Sequence, residues 1–281
     1  MAISRGIASG ALEPIGTRAQ EVEDAGVRFS VRVATSLPRP RPAADAPVDP
    51  FLPYDENLFV CDLPPRHVCL LNKYPVLPDH LLIVTRAFED QESPLEVGDF
   101  EALWTLLLER DGLAFYNAGA RAGASQPHRH LQLVPLPLAP CRLRTPIDPV
   151  IEETRFDAAI GRAERLPFHH AIARLRDCAD LPPALAAEAL HGLYGEMARA
   201  FGCDRAGRPY NLLVTRDWML FVPRSREHWE SISVNALAFA GAILVRDDAQ
   251  LDRVRAAGPM SVLEQVGVRV QASGDPPRRK T

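Results

Sequence analysis

The stretch of sequence that decides this fold is Gly123-Ala124-Ser125-Gln126-Pro127-His128-Arg129-His130-Leu131-Gln132. Its end opens an apolar run that continues to Leu138. Because alternate residues of a β-strand point to the same face, His128, His130 and Gln132 are predicted to project together, just after a small glycine-led turn. Such a row can supply a nucleophilic imidazole, a second imidazole that orients it and an amide that holds a phosphate oxygen. A His-x-His pair alone is also typical of half a metal site or of two partly buried polar side chains.

Length and composition are those of an ordinary globular protein. The 281 residues could form one large domain or two modest ones, and 47% hydrophobic with 24% charged residues is a usual balance. A formal net charge of −4 implies no broad basic field, which argues against a nucleic-acid or membrane-surface partner. The longest apolar run, 236–245, is far shorter than the roughly 20 residues of a membrane span.

The cysteines indicate a reducing compartment. No Cys-x-x-Cys pair occurs, so a zinc knuckle or a redox motif is not expected. An odd number of irregularly spaced cysteines is typical of free thiols in a cytoplasmic protein, and early acidic residues argue against a signal peptide. The five cysteines are Cys61, Cys69, Cys141, Cys178 and Cys203.

Apolar spacing predicts an α+β fold, whose first half is a mostly antiparallel sheet with a crossover helix. The predicted helices cover residues 1–22, 100–110, 151–163, 182–201, 247–256 and 261–266. The predicted strands cover residues 27–33, 57–62, 67–72, 80–85, 113–118, 131–136, 168–175, 210–215 and 218–223. A Pro-rich loop is expected over 38–53 and a disordered tail over 274–281.

Two stretches of this chain have a similar pattern. Residues 67–86 and 209–224 each contain two apolar strands that end in a basic residue. An internal duplication is one interpretation, and the chance recurrence of hairpins in a large sheet is the other.

The whole motif from Gly123 to Gln132 resembles the catalytic motif of the histidine-triad superfamily, in the transferase branch whose third position is Gln. The leading Gly-Ala-Ser-Gln-Pro is similar to that of the ATP adenylyltransferases, also called diadenosine tetraphosphate phosphorylases. The resemblance spans roughly Phe29 to Val266. It implies a histidine-triad-like antiparallel sheet with flanking helices, as in galactose-1-phosphate uridylyltransferase. It also implies an N-terminal catalytic region, 1–165, packed with an adenylyltransferase-type C-terminal region, 166–281.

The resemblance assigns roles to the three polar residues of the row. His130 would attack the α-phosphorus of a nucleotide and form an adenylyl-histidine. His128 would position His130 or a phosphate oxygen, and the neutral amide of Gln132 would hold a non-bridging oxygen. In the superfamily, His at this third position accompanies hydrolases and Gln accompanies transferases.

Further substrate contacts follow from the same resemblance. The family's second signature matches the stretch from Leu70 to Thr85, and its C-terminal pattern matches the stretch from Pro209 to Ser225. The expected substrate-binding residues are Asn72, Lys73, Asn117, Gly123, Ala124, Ser125, Gln126, Asn211, Thr215, Met219 and Arg224. Where the family tends to carry a substrate-binding Lys, this chain has Arg39 and Arg41, whose role is open.

The resemblance therefore implies reversible phosphorolysis of diadenosine tetraphosphate with phosphate to ATP and ADP, in a monomer or small homo-oligomer. Mg²⁺ or Mn²⁺ is expected to travel with the polyphosphate, without a protein-bound metal. Three alternatives stay open: a nucleotide hydrolase of the histidine-triad type, a sugar-1-phosphate nucleotidyltransferase, and a non-catalytic nucleotide-binding module.

Overall fold

The computed structural model describes residues 2–36, 49–138, 143–156 and 158–270. Arg39, Arg41, Cys141, the predicted tail and most of the Pro-rich segment lie outside these residues. The helices are α1 (Ala2–Ser9), α2 (Val97–Glu109), α3 (Asp148–Glu152), α4 (Pro183–Ala200), α5 (Ala236–Phe239), α6 (Asp248–Ala257) and α7 (Pro259–Val266). The strands are β1 (Thr17–Asp24), β2 (Val27–Ala34), β3 (Phe59–Leu63), β4 (His67–Leu71), β5 (Leu81–Thr85), β6 (Gly112–Asn117), β7 (His130–Pro135), β8 (Arg155–Phe156), β9 (Ile160–Arg162), β10 (Ala171–Arg174), β11 (Tyr210–Val214), β12 (Trp218–Pro223), β13 (His228–Trp229), β14 (Ile232–Ser233) and β15 (Ala242–Val245).

A ten-stranded antiparallel sheet dominates the molecule, and the α+β prediction is confirmed. Its strand order is β3-β4-β5-β7-β6-β11-β12-β10-β9-β8. A smaller sheet of order β1-β2-β15 packs on one of its faces. The two regions predicted at 1–165 and 166–281 share the large sheet, and residue 165 falls between β9 and β10.

The large sheet consists of two halves with the same topology. The N-terminal half-sheet, β3 to β7 with α2, has a three-stranded meander, a helix and two further strands in the spatial order 3-4-5-7-6. The C-terminal half-sheet, β8 to β12 with α4, repeats this plan in the order 8-9-10-12-11. The inner strands β6 and β11 pair antiparallel, from Asn117↔Asn211 to Ala114↔Val214, so the halves are related by an approximate twofold axis.

This arrangement corrects the duplication suggested by the sequence. A repeated unit exists, but it is longer than the stretches 67–86 and 209–224 that were compared. In the repeat, β4 and β5 correspond to β9 and β10, whereas residues 209–224 form β11 and β12.

The sheet has one helical face and one face that carries a polar cleft. Helices α2 and α4 pack on the first face against alternate apolar residues, including Leu131, Leu133 and Phe221. The opposite face carries two separate apolar clusters. One lies on β4 and β5 with Phe51, and the other joins the central strands to the small sheet and α5–α7. Between these clusters the sheet surface is lined by polar residues of β6 and β7.

Two helix predictions were wrong. Residues 1–22 form only the short α1 before β1, whose exposed side chains alternate with half-buried ones because the strand covers one side of β2. Residues 151–163 form the end of α3 followed by the short strands β8 and β9. Their apolar stripe was thin, and pairing with β10 supplied the backbone hydrogen bonds instead. Within the described residues no helix is long and apolar enough to cross a membrane.

Candidate active site

His130 lies on the cleft face at the start of β7, where its imidazole is almost fully buried at 3% exposure. Its Nδ1 lies 2.8 Å from the backbone oxygen of His128, which can only accept a hydrogen bond. The ring proton therefore sits on Nδ1, and Nε2 keeps its lone pair. Burial lowers the pKa of His130 from 6.5 to about 4, so the ring is neutral at physiological pH. A neutral imidazole with an unprotonated Nε2 is the form that attacks phosphorus.

His128 lies just before β7, within the turn that leads into the strand. Its Nδ1 lies 2.8 Å from the Asp49 carboxylate, and its Nε2 lies 2.9 Å from both the hydroxyl and the carbonyl oxygen of Thr85. The Phe51 ring contacts both imidazoles, with centroids 5.6 Å from His128 and 5.3 Å from His130. His128 is thereby immobilised, and its carbonyl group fixes the tautomer of His130.

Gln91 joins the two strands that carry the cleft residues. Its side-chain oxygen accepts the backbone N–H of His130 at 2.8 Å. Its amide nitrogen donates to the carbonyl groups of Asn117 at 2.9 Å and His130 at 3.2 Å. Gln91 is only 1% exposed, so a buried side-chain amide takes the place of a ladder hydrogen bond where β6 and β7 separate.

Gln132 points into the cleft two residues after His130 and contacts a third histidine. The Oε1 atom of Gln132 lies 3.0 Å from Nε2 of His80, and Nδ1 of His80 lies 3.2 Å from Nδ2 of Asn72. His80 packs against Phe115 with a centroid distance of 5.8 Å. The structure thus connects Asn72 to Gln132. Lys73 follows Asn72 and is 28% exposed, with Nζ 3.7 Å from Glu13.

Asn117 presents an amide donor next to His130. Its Oδ1 accepts hydrogen bonds from the backbone N–H of Ala236 at 2.9 Å and from Nδ2 of Asn211 at 2.8 Å. These two donors fix the orientation of the amide, so its NH2 group faces away from them. In the part of the chain that the structure describes, this NH2 group has no hydrogen-bond partner. Asn211 also donates to the Ala122 carbonyl at 2.9 Å, which ties the turn to β11.

The predicted phosphate turn, 123–126, begins with a glycine in a left-handed conformation. Gly123 has φ +93°, and a Cβ at this position would lie 3.0 Å from the backbone of Asn235. The N–H groups of Gly123 and Ala124 close the turn onto the Ala120 and Gly119 carbonyls. Those of Ser125 and Gln126 have no intramolecular acceptor among the described residues, which leaves them available to an anion.

Arg224 has a visible structural function. Its guanidinium is 3% exposed and donates to Asn211 Oδ1 and to carbonyl groups of the surrounding segments. These carbonyls belong to Ala122, Arg226, Glu227, Val234 and Val266. Burial lowers its pKa to about 9. Arg224 therefore holds the phosphate turn against the C-terminal segments, and direct contact with a nucleotide stays a prediction.

Thr215 and Met219 are not brought together with His130. Thr215 lies at the far end of β11, where it lines a cavity of about 380 Å³ with Trp218 and three arginines, Arg144, Arg174 and Arg176. Met219 is fully buried on the helical face of the sheet. Their predicted contact with a nucleotide is not supported by this geometry and stays untested.

Sequence reasoning missed His80, Gln91, Asp49 and Phe51. His80 could have been found, because it is the first residue of the strand predicted at 80–85, which pairs with the His130 strand. The other three carry no local signal, since each reaches the site through the tertiary packing of a loop. The described residues contain no group of three or more His, Cys, Asp or Glu that could hold a metal ion.

A buried, neutral imidazole with an unprotonated Nε2, next to amide donors, has the chemistry that nucleophilic attack on phosphorus requires. A family model of the Ap4A phosphorylase N-terminal domain, named for diadenosine tetraphosphate (Ap4A), matches residues 2–153. A model of the ATP adenylyltransferase C-terminal domain matches residues 164–269. The chain therefore belongs to the Ap4A phosphorylase family of ATP adenylyltransferases.

Individual relatives agree with this assignment. The chain is 30% identical to diadenosine 5',5'''-P1,P4-tetraphosphate phosphorylase 2 of Saccharomyces cerevisiae over 237 residues. The aligned region covers 73% of this chain and 71% of the yeast protein. The crystal structure of yeast Ap4A phosphorylase Apa2 in complex with Ap4A matches with a TM-score of 0.79 and 25% identity over 96% of this chain and 97% of that chain. The complex of the same yeast enzyme with AMP matches with a TM-score of 0.80 and 26% identity over 96% of each chain.

Proposed function

We propose that this protein splits Ap4A with inorganic phosphate into ATP and ADP, reversibly, through an adenylyl group on His130. Two family models and the yeast phosphorylase relatives support the reaction. The single observation that carries the mechanism is the hydrogen bond from Nδ1 of His130 to the His128 carbonyl, because it leaves Nε2 as the nucleophile.

The reaction proceeds in two displacements. Nε2 of His130 attacks the α-phosphorus, the bond from that phosphorus to the bridging oxygen breaks, and ATP leaves. An oxygen of inorganic phosphate then attacks the same phosphorus, the P–N bond breaks, and ADP leaves with His130 restored. The Nδ1 proton stays on the ring throughout, and the His128 carbonyl stabilises the positive charge of the adenylated imidazole.

The remaining cleft residues hold phosphate oxygens. The amide of Asn117 and the N–H groups of Ser125 and Gln126 supply donors around the reacting phosphorus. Gln132 supplies a further donor and cannot deliver a proton, which suits a polyphosphate leaving group that departs as an anion. Lys73 supplies positive charge for the distal phosphates, since an ammonium acts as a point charge.

The conditions of the reaction belong to the same proposal. Mg²⁺ or Mn²⁺ accompanies the polyphosphate as part of the substrate, because clustered negative charges need neutralisation. The protein acts in the cytoplasm, where its unpaired thiols stay reduced, as a monomer or small homo-oligomer. Its substrates are free nucleotides rather than nucleic acid or a membrane.

Product analysis tests the proposal directly. Purified protein is incubated with Ap4A and Mg²⁺, with and without phosphate, and the nucleotides are separated by chromatography. ATP and ADP that form only with phosphate are the expected result, together with an adenylyl group on the peptide that contains His130. AMP and ATP without phosphate would instead identify a hydrolase, and binding without any product would identify a nucleotide-binding module. Activity only with a sugar 1-phosphate acceptor would identify a sugar-1-phosphate nucleotidyltransferase.

A further inference from the structure

We propose that His80 is a positioning residue that locks the Gln132 amide with its NH2 group towards the reacting phosphate. The proposal rests on the function proposed above. It concerns a chain of hydrogen bonds that runs from the backbone N–H of Tyr74 through Asn72 and His80 to Gln132.

The donor–acceptor direction of this series of hydrogen bonds is set at its first contact. The backbone N–H of Tyr74 donates to Oδ1 of Asn72 at 3.1 Å, and a backbone N–H can only donate. Oδ1 of Asn72 is therefore the acceptor at that contact, and its Nδ2 is the atom that faces His80. Because a side-chain NH2 group is a donor, Nδ1 of His80 must accept the hydrogen bond across 3.2 Å.

The polarity then passes to Gln132. A neutral imidazole that accepts at Nδ1 carries its proton on Nε2. Nε2 of His80 thus donates to Oε1 of Gln132 across 3.0 Å. With Oε1 held, the NH2 group of Gln132 is the end that remains for the cleft, and it has no protein partner within the described ranges. A reversed amide would instead turn Oε1 towards the phosphate and repel its negatively charged oxygens.

Burial keeps the relay in one state. His80 is 5% exposed and packs on Phe115. Burial lowers the pKa of His80 to about 4, so only one ring nitrogen is protonated at physiological pH. A doubly protonated ring would bring an N–H of Nδ1 against the NH2 group of Asn72. The relay also predicts opposite tautomers for two neighbouring histidines, with the proton on Nε2 in His80 and on Nδ1 in His130.

A double-mutant cycle separates positioning through Gln132 from an independent role. The variants are His80→Leu, Gln132→Ala and their combination, with kcat and KM measured for Ap4A and phosphate. Removing one donor to the transition state costs on the order of 100-fold in kcat, which we expect for Gln132→Ala. We expect His80→Leu to lower kcat by about 10- to 100-fold, because loss of orientation cannot cost more than loss of the donor itself. In the Gln132→Ala background, His80→Leu should lower kcat by less than a further factor of about two.

The C-terminal half-sheet provides a matched control. His170 precedes β10 as His80 precedes β5, and it is 4% exposed, but among the described residues its ring bonds only to backbone groups of Phe168 and Ala163. His170→Leu makes the same chemical change and should leave kcat unchanged in folded protein. His80→Gln should recover part of the lost kcat, since a glutamine amide can donate from nearly the same place. Equal losses from His80→Leu in both backgrounds would overturn the proposal.

Imidazole NMR of the unmodified protein tests the relay even if His80→Leu does not fold. Long-range ¹H–¹⁵N spectra assign the protonated nitrogen of each ring. A proton on Nε2 of His80 is the expected result, and a proton on Nδ1 overturns the proposal. This measurement requires no turnover. A protein that forms no ATP or ADP therefore contradicts the proposed function, while the tautomer alone decides the relay.

Discussion

The two half-sheets share one topology, but the row of His128, His130 and Gln132 lies in the N-terminal one. His130 and Trp218 are each the first residue of the last strand of their half. Gln132 pairs with Leu82 and Phe115, and its counterpart Leu220 pairs with Ile172 and Leu213. The large sheet therefore contains the same framework twice, and the proposed chemistry depends on the polar side chains that only one copy carries in this row.

The two buried histidines make the difference explicit. In the N-terminal half-sheet, His80 contacts the side chain of Gln132. In the C-terminal half-sheet, His170 accepts the Ala163 N–H at 2.9 Å and contacts the Phe168 carbonyl at 2.8 Å. A buried histidine in this position is thus structural by default, and it acts on the site only where a polar partner faces it.

The largest effect is expected when His130 and its counterpart Trp218 are each replaced. His130→Ala should lower kcat by on the order of 10⁴-fold or more, because both ring nitrogens of His80 and of His128 already have hydrogen-bond partners. The fold should persist, since the side chain lines a cleft. The counterpart change Trp218→Phe should leave turnover close to that of the parent. Single-turnover assays with labelled Ap4A measure both, and near-normal turnover in His130→Ala would remove the mechanism.

A second pair, Asn117 and Thr215, occupies equivalent strand positions in the two halves. Asn117→Asp keeps the acceptor oxygen for Ala236 but replaces the donor with a negative charge. We expect a loss of about 100-fold in kcat/KM. Thr215→Ala should change it by less than about threefold if only the N-terminal half-sheet binds the reacting nucleotide. Steady-state kinetics compare the two variants, and a similar loss in both would indicate that the cavity lined by Thr215 also binds the substrate.

Stability against pH should reflect the buried histidines. Burial lowers the pKa of His80 and His130 from 6.5 to about 4, so the unfolded chain binds more protons between these values. The free energy of unfolding is therefore full above pH 6.5 and falls as the pH drops towards 4, by on the order of 3 kcal/mol for each residue. Urea titrations from pH 7 to 4.5 measure the fall. His80→Leu should make it shallower, and an unchanged slope would contradict the assigned burial.

The smallest effect is expected at Lys73, at the edge of the cleft. Lys73→Ala should raise KM several-fold with little change in kcat, because a partly exposed charge attracts distal phosphates without touching the reacting atom. Lys73→Arg should recover only part of the affinity, since the planar guanidinium directs its donors differently from a compact ammonium group. Saturation curves at low and high salt provide the measurement. If both variants match the parent, Lys73 is a surface residue without a role in binding.

The sequence predicted the N-terminal half-sheet better than the C-terminal one. The strands that follow His80 and include His130 are mostly apolar runs bounded by turn residues, and their positions in the structure agree within about two residues. The short strands β8 and β9 were missed because their side chains alternate weakly and their pairing partner is a later strand. The strand β15 was missed because it lies within an apolar run and pairs in parallel with β2.

The site residues that lie close together in the sequence were predicted together, and some of those that come from distant segments were missed. His130, Gln132 and the turn at Gly123 lie within one motif, so the sequence could name them together. Gln91 and His80 reach the same cleft from other segments, and hydrogen-bond direction cannot be read from residue order. The resemblance of residues 209–225 assigned Arg224 a nucleotide contact, and residue order could not show that its guanidinium is enclosed by carbonyl groups, so that contact stays a prediction.

The pairing of β6 with β11, which joins the two half-sheets, has a consequence for how the protein acquires activity during folding. Asn117 is oriented by Asn211, 94 residues further along the chain, and by Ala236, 119 residues away. Contacts of such long range form late and slowly. During refolding, helical signal and an intact N-terminal half-sheet should therefore precede catalysis, and turnover should appear only when β6 and β11 have joined. Stopped-flow refolding that follows circular dichroism and product formation in parallel would reveal this lag as an inactive, largely structured intermediate.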